Sequence, residues 1–388
     1  MLAIYALSFL DLFSVGLIKP LLPSLLQSKQ IGATAYAGVN SACHAAGLLL
    51  SPFIGRLSDV RGRKSGIVVS AFVAFVGCVC YGLALTTNSY APAVVGRLLH
   101  NLGHVAIMAP LNATIAGRSE SGGAARLSMM MGIFGLGYAA GSAGGGWLGG
   151  FGAAPVLAVL CAVAAVSALL AASLPALPVG GAASGASKPP ALVVMRQAAS
   201  DPRCRDIFVL QLVVACAFHV YNGTSDLYVR SLGYSSSELG YILSYAGTTF
   251  ALCNLLVVPR LAAAGTRRLL PAAFVCVAVG RAGLGAASWL PTTPTILAAY
   301  VVCNFGQGLL ATLLKARLSA GVAPDRLALL LSLLDATRAT AGTVVPLVSG
   351  VIYDTAGPSA PAAAAAAIAL SGAAAAWHLD GAGHEKTS

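Results

Sequence analysis

Charge is what this chain has least of. Only 9% of its 388 residues are Asp, Glu, Lys or Arg, and 12 of them are acidic. A water-soluble domain carries about a quarter charged residues, so a soluble surface cannot be built from this sequence. A period-two alternation of apolar and polar residues is also missing, which argues against a membrane β-barrel. There is no Walker loop, no nucleophile elbow and no zinc motif, so neither ATP-driven pumping nor an enzyme activity is expected. The nine cysteines (Cys43, Cys78, Cys80, Cys161, Cys204, Cys216, Cys253, Cys276 and Cys303) form no CxxC and no Cys/His cluster. They read as small apolar filler, and neither a metal nor a cofactor is expected. No basic segment precedes the first apolar run, which is too long for a signal-peptide core and contains Asp11 and Lys19.

What the chain does have is apolar length. It is 57% hydrophobic with a mean hydropathy of +0.83. Leu-, Val- and Ala-rich runs recur from end to end, each near the roughly 20 helical residues that cross a bilayer. In lipid the backbone must satisfy its own hydrogen bonds, so helices are expected. The spans read as 2–26, 33–54, 66–86, 91–116, 127–149 and 154–174, then 206–229, 238–258, 269–288, 292–314, 327–350 and 359–378. The expectation is an all-α membrane protein with twelve transmembrane helices. Residues 1–174 form one six-helix bundle and 206–388 the other, joined by a hydrated, Pro/Gly/Ser-rich linker over 175–205.

The basic residues set the orientation. With the N-terminus in the cytoplasm, seventeen of the 23 Lys and Arg fall in inner loops, and only Lys29 and Arg230 fall in outer ones. That bias places both termini in the cytoplasm. It also argues against nucleic acid as the reason for the net charge of +11, since the charges punctuate alternate loops rather than form one face. The halves repeat. The segment from Arg56 to Lys64 overlies Arg260 to Arg268 without a gap, and Arg126-Leu127 overlies Arg326-Leu327. A parallel repeat of six spans points to a substrate site between two halves.

Between spans 2 and 3 lies Gly55-Arg56-Leu57-Ser58-Asp59-Val60-Arg61-Gly62-Arg63-Lys64. It resembles the signature loop of the major facilitator superfamily: a Gly, an Asp four residues on, then Gly-Arg-Lys. Leu10-Asp11, Gly16-Leu17-Ile18 and Pro20-Leu21-Leu22-Pro23 are similar to the first span of its drug/proton antiporter branch. The branch includes the tetracycline exporters and eukaryotic orphan members. Span 5, with nine glycines from Gly132 to Gly150, is similar to that branch's antiporter motif, although Ala143-Gly144 stands where the family usually has Gly-Pro. The resemblance implies the major facilitator fold. It also implies alternating-access transport of a small organic solute, with a proton gradient as the energy source and efflux as the direction. Gly55, Asp59, Gly62, Arg63 and Lys64 are then the cytoplasmic gate motif. Two glycines would make a tight turn, Asp59 would face the N-terminal end of span 11, and Arg63 would pair with Glu120.

A charge inside a span is costly unless paired or wet, so such residues are site candidates. Asp11 sits near the midplane and reads as a proton-coupling residue or as the partner of Arg97. Asp226 and Asp335 are further proton-coupling or gating candidates. Lys19, His44, Arg97, His104, His219 and Arg338 are candidates for the cavity. Lys19 and Asp226 lie in the outer halves of repeat-equivalent spans, so they are expected to approach each other as an outer gate. Asp335 and Arg338 lie three apart and are expected to form a local pair. Arg281 is expected to snorkel outward. Gly137, Gly141 and Gly145 are interhelix glycines suited to close packing. The expected partners are a small-molecule substrate, protons and the lipid bilayer, with the protein a monomer. A uniporter, a proton symporter of a metabolite and a non-transporting receptor or scaffold are the competing readings.

Overall fold

The computed structural model describes residues 2–23, 32–87, 90–116, 123–175, 200–263, 268–290, 292–320 and 324–382. The described residues contain helices and no strand. The helices are α1 (Leu2–Ile18), α2 (Ala33–Arg61), α3 (Arg63–Thr86), α4 (Ala91–Ala116), α5 (Gly123–Gly149) and α6 (Ala153–Ser173). They continue as α7 (Pro202–Asn222), α8 (Ser236–Leu252), α9 (Leu269–Ala286), α10 (Thr292–Ala320), α11 (Pro324–Ala356) and α12 (Ala360–Ala382). Seven described helices are long and apolar enough to cross a membrane by length and composition. The linker region 176–199 lies outside the described residues.

The helix ends depart from the sequence reading in informative places. The first helix stops at Ile18, and a turn follows in which Leu21 N–H reaches Ile18 C=O at 3.1 Å. Lys19 therefore stands just beyond a helix end. Helix α2 runs through Arg61, so Gly55 is helical and only Gly62, at φ 90°, makes the turn. That conformation suits glycine alone among the coded residues. Helix α7 breaks at Gly223-Thr224 and resumes as the short helix Ser225–Ser231, where a continuous span was expected. Helix α8 passes through a π-turn at Cys253–Val257 into Val258–Ala263.

The packing repeats under a shift of six helices. In the first half α1 packs on α5 and α6, α3 on α4 and α6, and α2 on α4. In the second half α7 packs on α11 and α12, α9 on α10 and α12, and α8 on α10. Two seams join the halves, α2 with α11 and α5 with α8, and they exchange under the same shift. Each half has its own apolar core, built around Leu17, Tyr81 and Leu160 in one and Phe274, Leu310 and Leu314 in the other. The outside is apolar as well: Phe72, Leu169, Val279 and Leu370 are all more than half exposed. All three tryptophans, Trp147, Trp289 and Trp377, are exposed near helix ends, the position of an aromatic belt at a membrane surface.

Candidate functional site

Side chains on one face of α2 reach the C-terminal end of α7 and the short helix that follows it. Tyr36, Asn40 and His44 are spaced four apart and so share that face. Each meets the other half. Tyr36 Oη donates to Asp226 Oδ2 at 2.8 Å. Asn40 Nδ2 donates to the C=O of Gly223 at 3.3 Å. The His44 ring meets His219 edge to face, with centroids 4.7 Å apart. Asp226 is 1% exposed, and its Oδ2 also lies 2.9 Å from Lys19 Nζ. Ser225 Oγ donates to its other oxygen at 3.2 Å. A carboxylate this deep is costly unless paired and fully hydrogen-bonded, and here three groups from both halves supply that.

Helix α11 closes the same seam. Asp354 accepts from the N–H of Thr34 at 2.9 Å and from its hydroxyl at 2.6 Å. Pro346 lies inside the continuous helix α11. A proline inside a helix lacks an N–H and clashes with the carbonyl four residues back, opening the ladder. The adjacent Leu347 N–H is taken by Ser41 Oγ, 3.0 Å away in the first half. Gly342 leaves room for both imidazoles: a Cβ there would lie 2.7 Å from His44 Cγ and 3.1 Å from His219 Cε1.

A second polar cluster is buried inside the first half. Asp11, 8% exposed, pairs with His104, Oδ2 to Nδ1 at 2.5 Å. Its partner is thus His104 and not Arg97. Residues 97 and 104 are two helical turns apart on one face of α4, so spacing alone does not choose between them. Ser14 Oγ donates to Asp11 C=O at 2.7 Å and lies 3.0 Å from His100 Nε2. Beside them is a cavity of about 20 Å³ lined by Asp11, Ser14, Ser70, Gly103 and Ser167. That is room for roughly one water.

The remaining charges also find different places. Asp335 pairs with Lys315 of α10 at 3.3 Å, not with Arg338. Arg338 instead lies over the Phe218 ring, 4.6 Å from its centroid. Arg97 Nη2 reaches Asn40 Oδ1 at 3.5 Å. Arg281 does not snorkel outward: it is 2% exposed and lies over Tyr221 at 4.2 Å. An aromatic face attracts the guanidinium more strongly where water is excluded.

Gly137, Gly141 and Gly145 form one stripe, and it faces α1 within their own half. A Cβ on them would strike the carbonyl oxygens of Phe9, Phe13 and Leu17. The contact with the other half uses a different stripe, Gly132, Gly135 and Gly146, against Leu255, Ala251 and Gly240. In the gate motif, Arg63 and Lys64 open α3 and are half-buried. The side chain of Asp59 lies outside the described residues, as does Glu120. Among the described residues no three His, Cys, Asp or Glu side chains are grouped to hold a metal.

Sequence reasoning passed over Tyr36, Asn40, Ser41, Gly342 and Asp354. They carry no charge inside a span or, for Asp354, lie beyond its expected end. Two signals were available: Asn222-Gly223, a turn dipeptide, and Pro346 within an apolar run.

No curated protein matches the chain in sequence. Several solved structures share its fold. The crystal structure of the human organic anion transporter MFSD10 (TETRAN) superimposes with a TM-score of 0.74 at 19% identity, covering 96% of this chain and 98% of that one. The nucleoside transporter NupG gives 0.72 at 15% identity, covering 98% and 97%. The POT family transporter PepTSo gives 0.71 at 13% identity, covering 100% and 98%. The sequence profile of the Major Facilitator Superfamily matches residues 4–316 and 207–387, and with the twelve-helix fold and its two exchanged seams this chain belongs to that superfamily of membrane transporters.

Proposed function

We propose that the chain is a secondary active transporter that exports a small organic solute by alternating access, in exchange for protons. The observation that carries the coupling is the buried Asp11–His104 pair beside a water-sized cavity. A carboxylate and an imidazole in contact share one labile proton, and a change in its occupancy changes the charge on α1 and α4 together. Both helices pack near the seams, α1 through the Gly137/Gly141/Gly145 stripe of α5 and α4 through α2. Lys19, Asp226 and Tyr36 act as the latch at the end of the interface that the loop charges assign to the outside. In this reading the structure represents the state closed at that end.

The test is luminal pH in proteoliposomes containing the purified full chain, while amphiphilic compounds and metabolites are added, with Asp11→Asn and His104→Gln alongside. Substrate-dependent proton movement in the wild type that is lost in both variants, with solute counterflow retained, is the expected result. Counterflow without proton movement in the wild type would make the protein a uniporter. Proton movement unchanged in both variants would remove the coupling role from this pair.

A further inference from the structure

Among the described residues, one rung between the halves is closed by rings and not by a hydrogen bond. Along the face of α2, Tyr36 and Asn40 each hydrogen-bond to the second half. His44, one turn further on, meets His219 of α7 edge to face, with ring centroids 4.7 Å apart. His219 is 4% exposed, and its Nε2 is buried with no hydrogen-bond partner among the described residues. A buried polar atom in that condition costs free energy that a ligand would offset.

The rest of the His219 ring is held in place. The main chain of Arg338 hydrogen-bonds it, and because Nε2 is unpartnered the bonded atom is Nδ1. An imidazole that donates Nδ1–H to a carbonyl presents a lone pair at Nε2, and this is how metal-ligating histidines are oriented. Gly342, one turn along α11, brings the two rings to a common point. A Cβ there would lie 2.9 Å from His44 Nδ1 and 3.1 Å from His219 Cε1, the atom between the two ring nitrogens. His44 is only half-buried, so the pair is open on that side. The surroundings select the ion. Arg97 and Arg338 lie within electrostatic reach of His44 and repel a cation held by charge alone. Mg2+ and Ca2+ take oxygen ligands and gain nothing from two imidazoles. Zn2+ bonds directly to imidazole nitrogen at about 2 Å.

We propose that His44 and His219 are the two protein ligands of a Zn2+ ion that bridges the halves, with water completing its coordination. One ligand comes from each half, so the ion adds a strong contact to the row that Tyr36 and Asn40 begin. Bound there, it holds the closed state and inhibits transport; it is not the solute. The inhibition rests on the transport reading, whereas the binding is measured apart from it. The site needs no third His, Cys, Asp or Glu, in keeping with the absence of such a group among the described residues.

The experiment titrates Zn2+ into the purified full chain by calorimetry, with Mg2+ as the competitor, and reads hydrogen exchange with and without Zn2+. The wild type is expected to bind Zn2+ saturably in the presence of excess Mg2+. Exchange should slow in the segments around His44 and around His219 together, because the ion ties one to the other. His44→Gln and His219→Gln should each weaken binding by at least the roughly tenfold that loss of an outer partner costs a metal site, and abolish the protection of both segments. His378→Gln, at an exposed position on α12, should leave both readouts unchanged. His44→Cys combined with His219→Cys should regain the double protection with Cd2+, which thiolates bind, and this separates loss of the ligands from loss of the fold. No Zn2+ binding by the wild type, unchanged affinity in both Gln variants, or protection confined to one half would overturn the site. Double protection by Zn2+ with no solute-driven proton movement in zinc-free proteoliposomes would keep the site and remove the transport reading. Proton movement by a wild type that binds no Zn2+ would do the reverse, and proton movement that persists in the Zn2+-bound protein would remove the inhibitory role.

Discussion

The two seams between the halves are equivalent by the internal repeat and differ in chemistry. The α5–α8 seam is glycine on backbone: a Cβ on Gly240 would lie 2.6 Å from Ser142 C=O, and one on Gly146 would lie 2.7 Å from Ser237 C=O. The α2 seam has one such approach, Gly350 on Ala33 and Thr34, and adds a polar row: Thr34 and Ser41 hydrogen-bond to α11, Asn40 to the break after α7 and Tyr36 to the short helix beyond it. A dry contact between smooth helix surfaces tolerates sliding and tilt, because few specific bonds are lost on displacement. A row of hydrogen bonds and one buried ion pair is instead made or broken as a set. The repeat therefore supplies two copies of one geometry with different side chains, and in the proposed cycle one serves as a hinge-like bearing and the other as a latch.

Three substitutions break or sharpen that contrast, in decreasing order of effect. Lys19→Met strands Asp226, which is 1% exposed, and should destabilise the closed state by about 3–5 kcal/mol. A lowered unfolding temperature checks it, and Lys19→Met combined with Asp226→Leu should recover most of the loss. No difference between single and double variants would mean the pair does not hold the latch. Gly240→Val adds bulk against backbone, which cannot move aside, and should cost about 1–3 kcal/mol. Its signature is loss of transport with binding preserved, since the bearing and not the polar layer is damaged. Asp354→Asn affects an exposed rung and should cost less than about 1 kcal/mol. If Asp354→Asn costs more than Lys19→Met, the latch is centred on α11 and not on Asp226.

Much of the fold was readable in the sequence for a physical reason: membrane insertion is decided by apolar length and by basic loops, and both are local properties. The repeat offset then paired the helices. The Lys19–Asp226 contact, at 2.9 Å, joins two charges in spans that the repeat makes equivalent, so its members were visible before their geometry was. Partner choice was less readable. Asp11 had Arg97 and His104 on the same helical face, and Asp335 had Arg338 on its own helix yet pairs with Lys315 of a neighbour. Which one wins depends on helix rotation and depth, which periodicity does not fix. The glycines of α5 show the same limit. Composition indicated close approach, but two stripes about a helical half-turn apart serve different neighbours.

The break at Gly223 and the proline inside α11 have a genetic consequence. Two contacts of the latch end on main chain in the second half: Asn40 reads the C=O of Gly223, and Ser41 reads the N–H of Leu347. A peptide group is the same whatever side chain it carries, so the Gly223 acceptor cannot be deleted by mutating its own residue, and the Leu347 donor is removed only by proline. In a random-mutagenesis screen, loss of these two contacts will map to codons 40 and 41 and, through proline alone, to codon 347. Hits at 223 will reflect bulk pressed against Pro346, whose Cα would lie 2.9 Å from an added Cβ, and compensating changes for a lost Asn40 or Ser41 will have to arise in the first half.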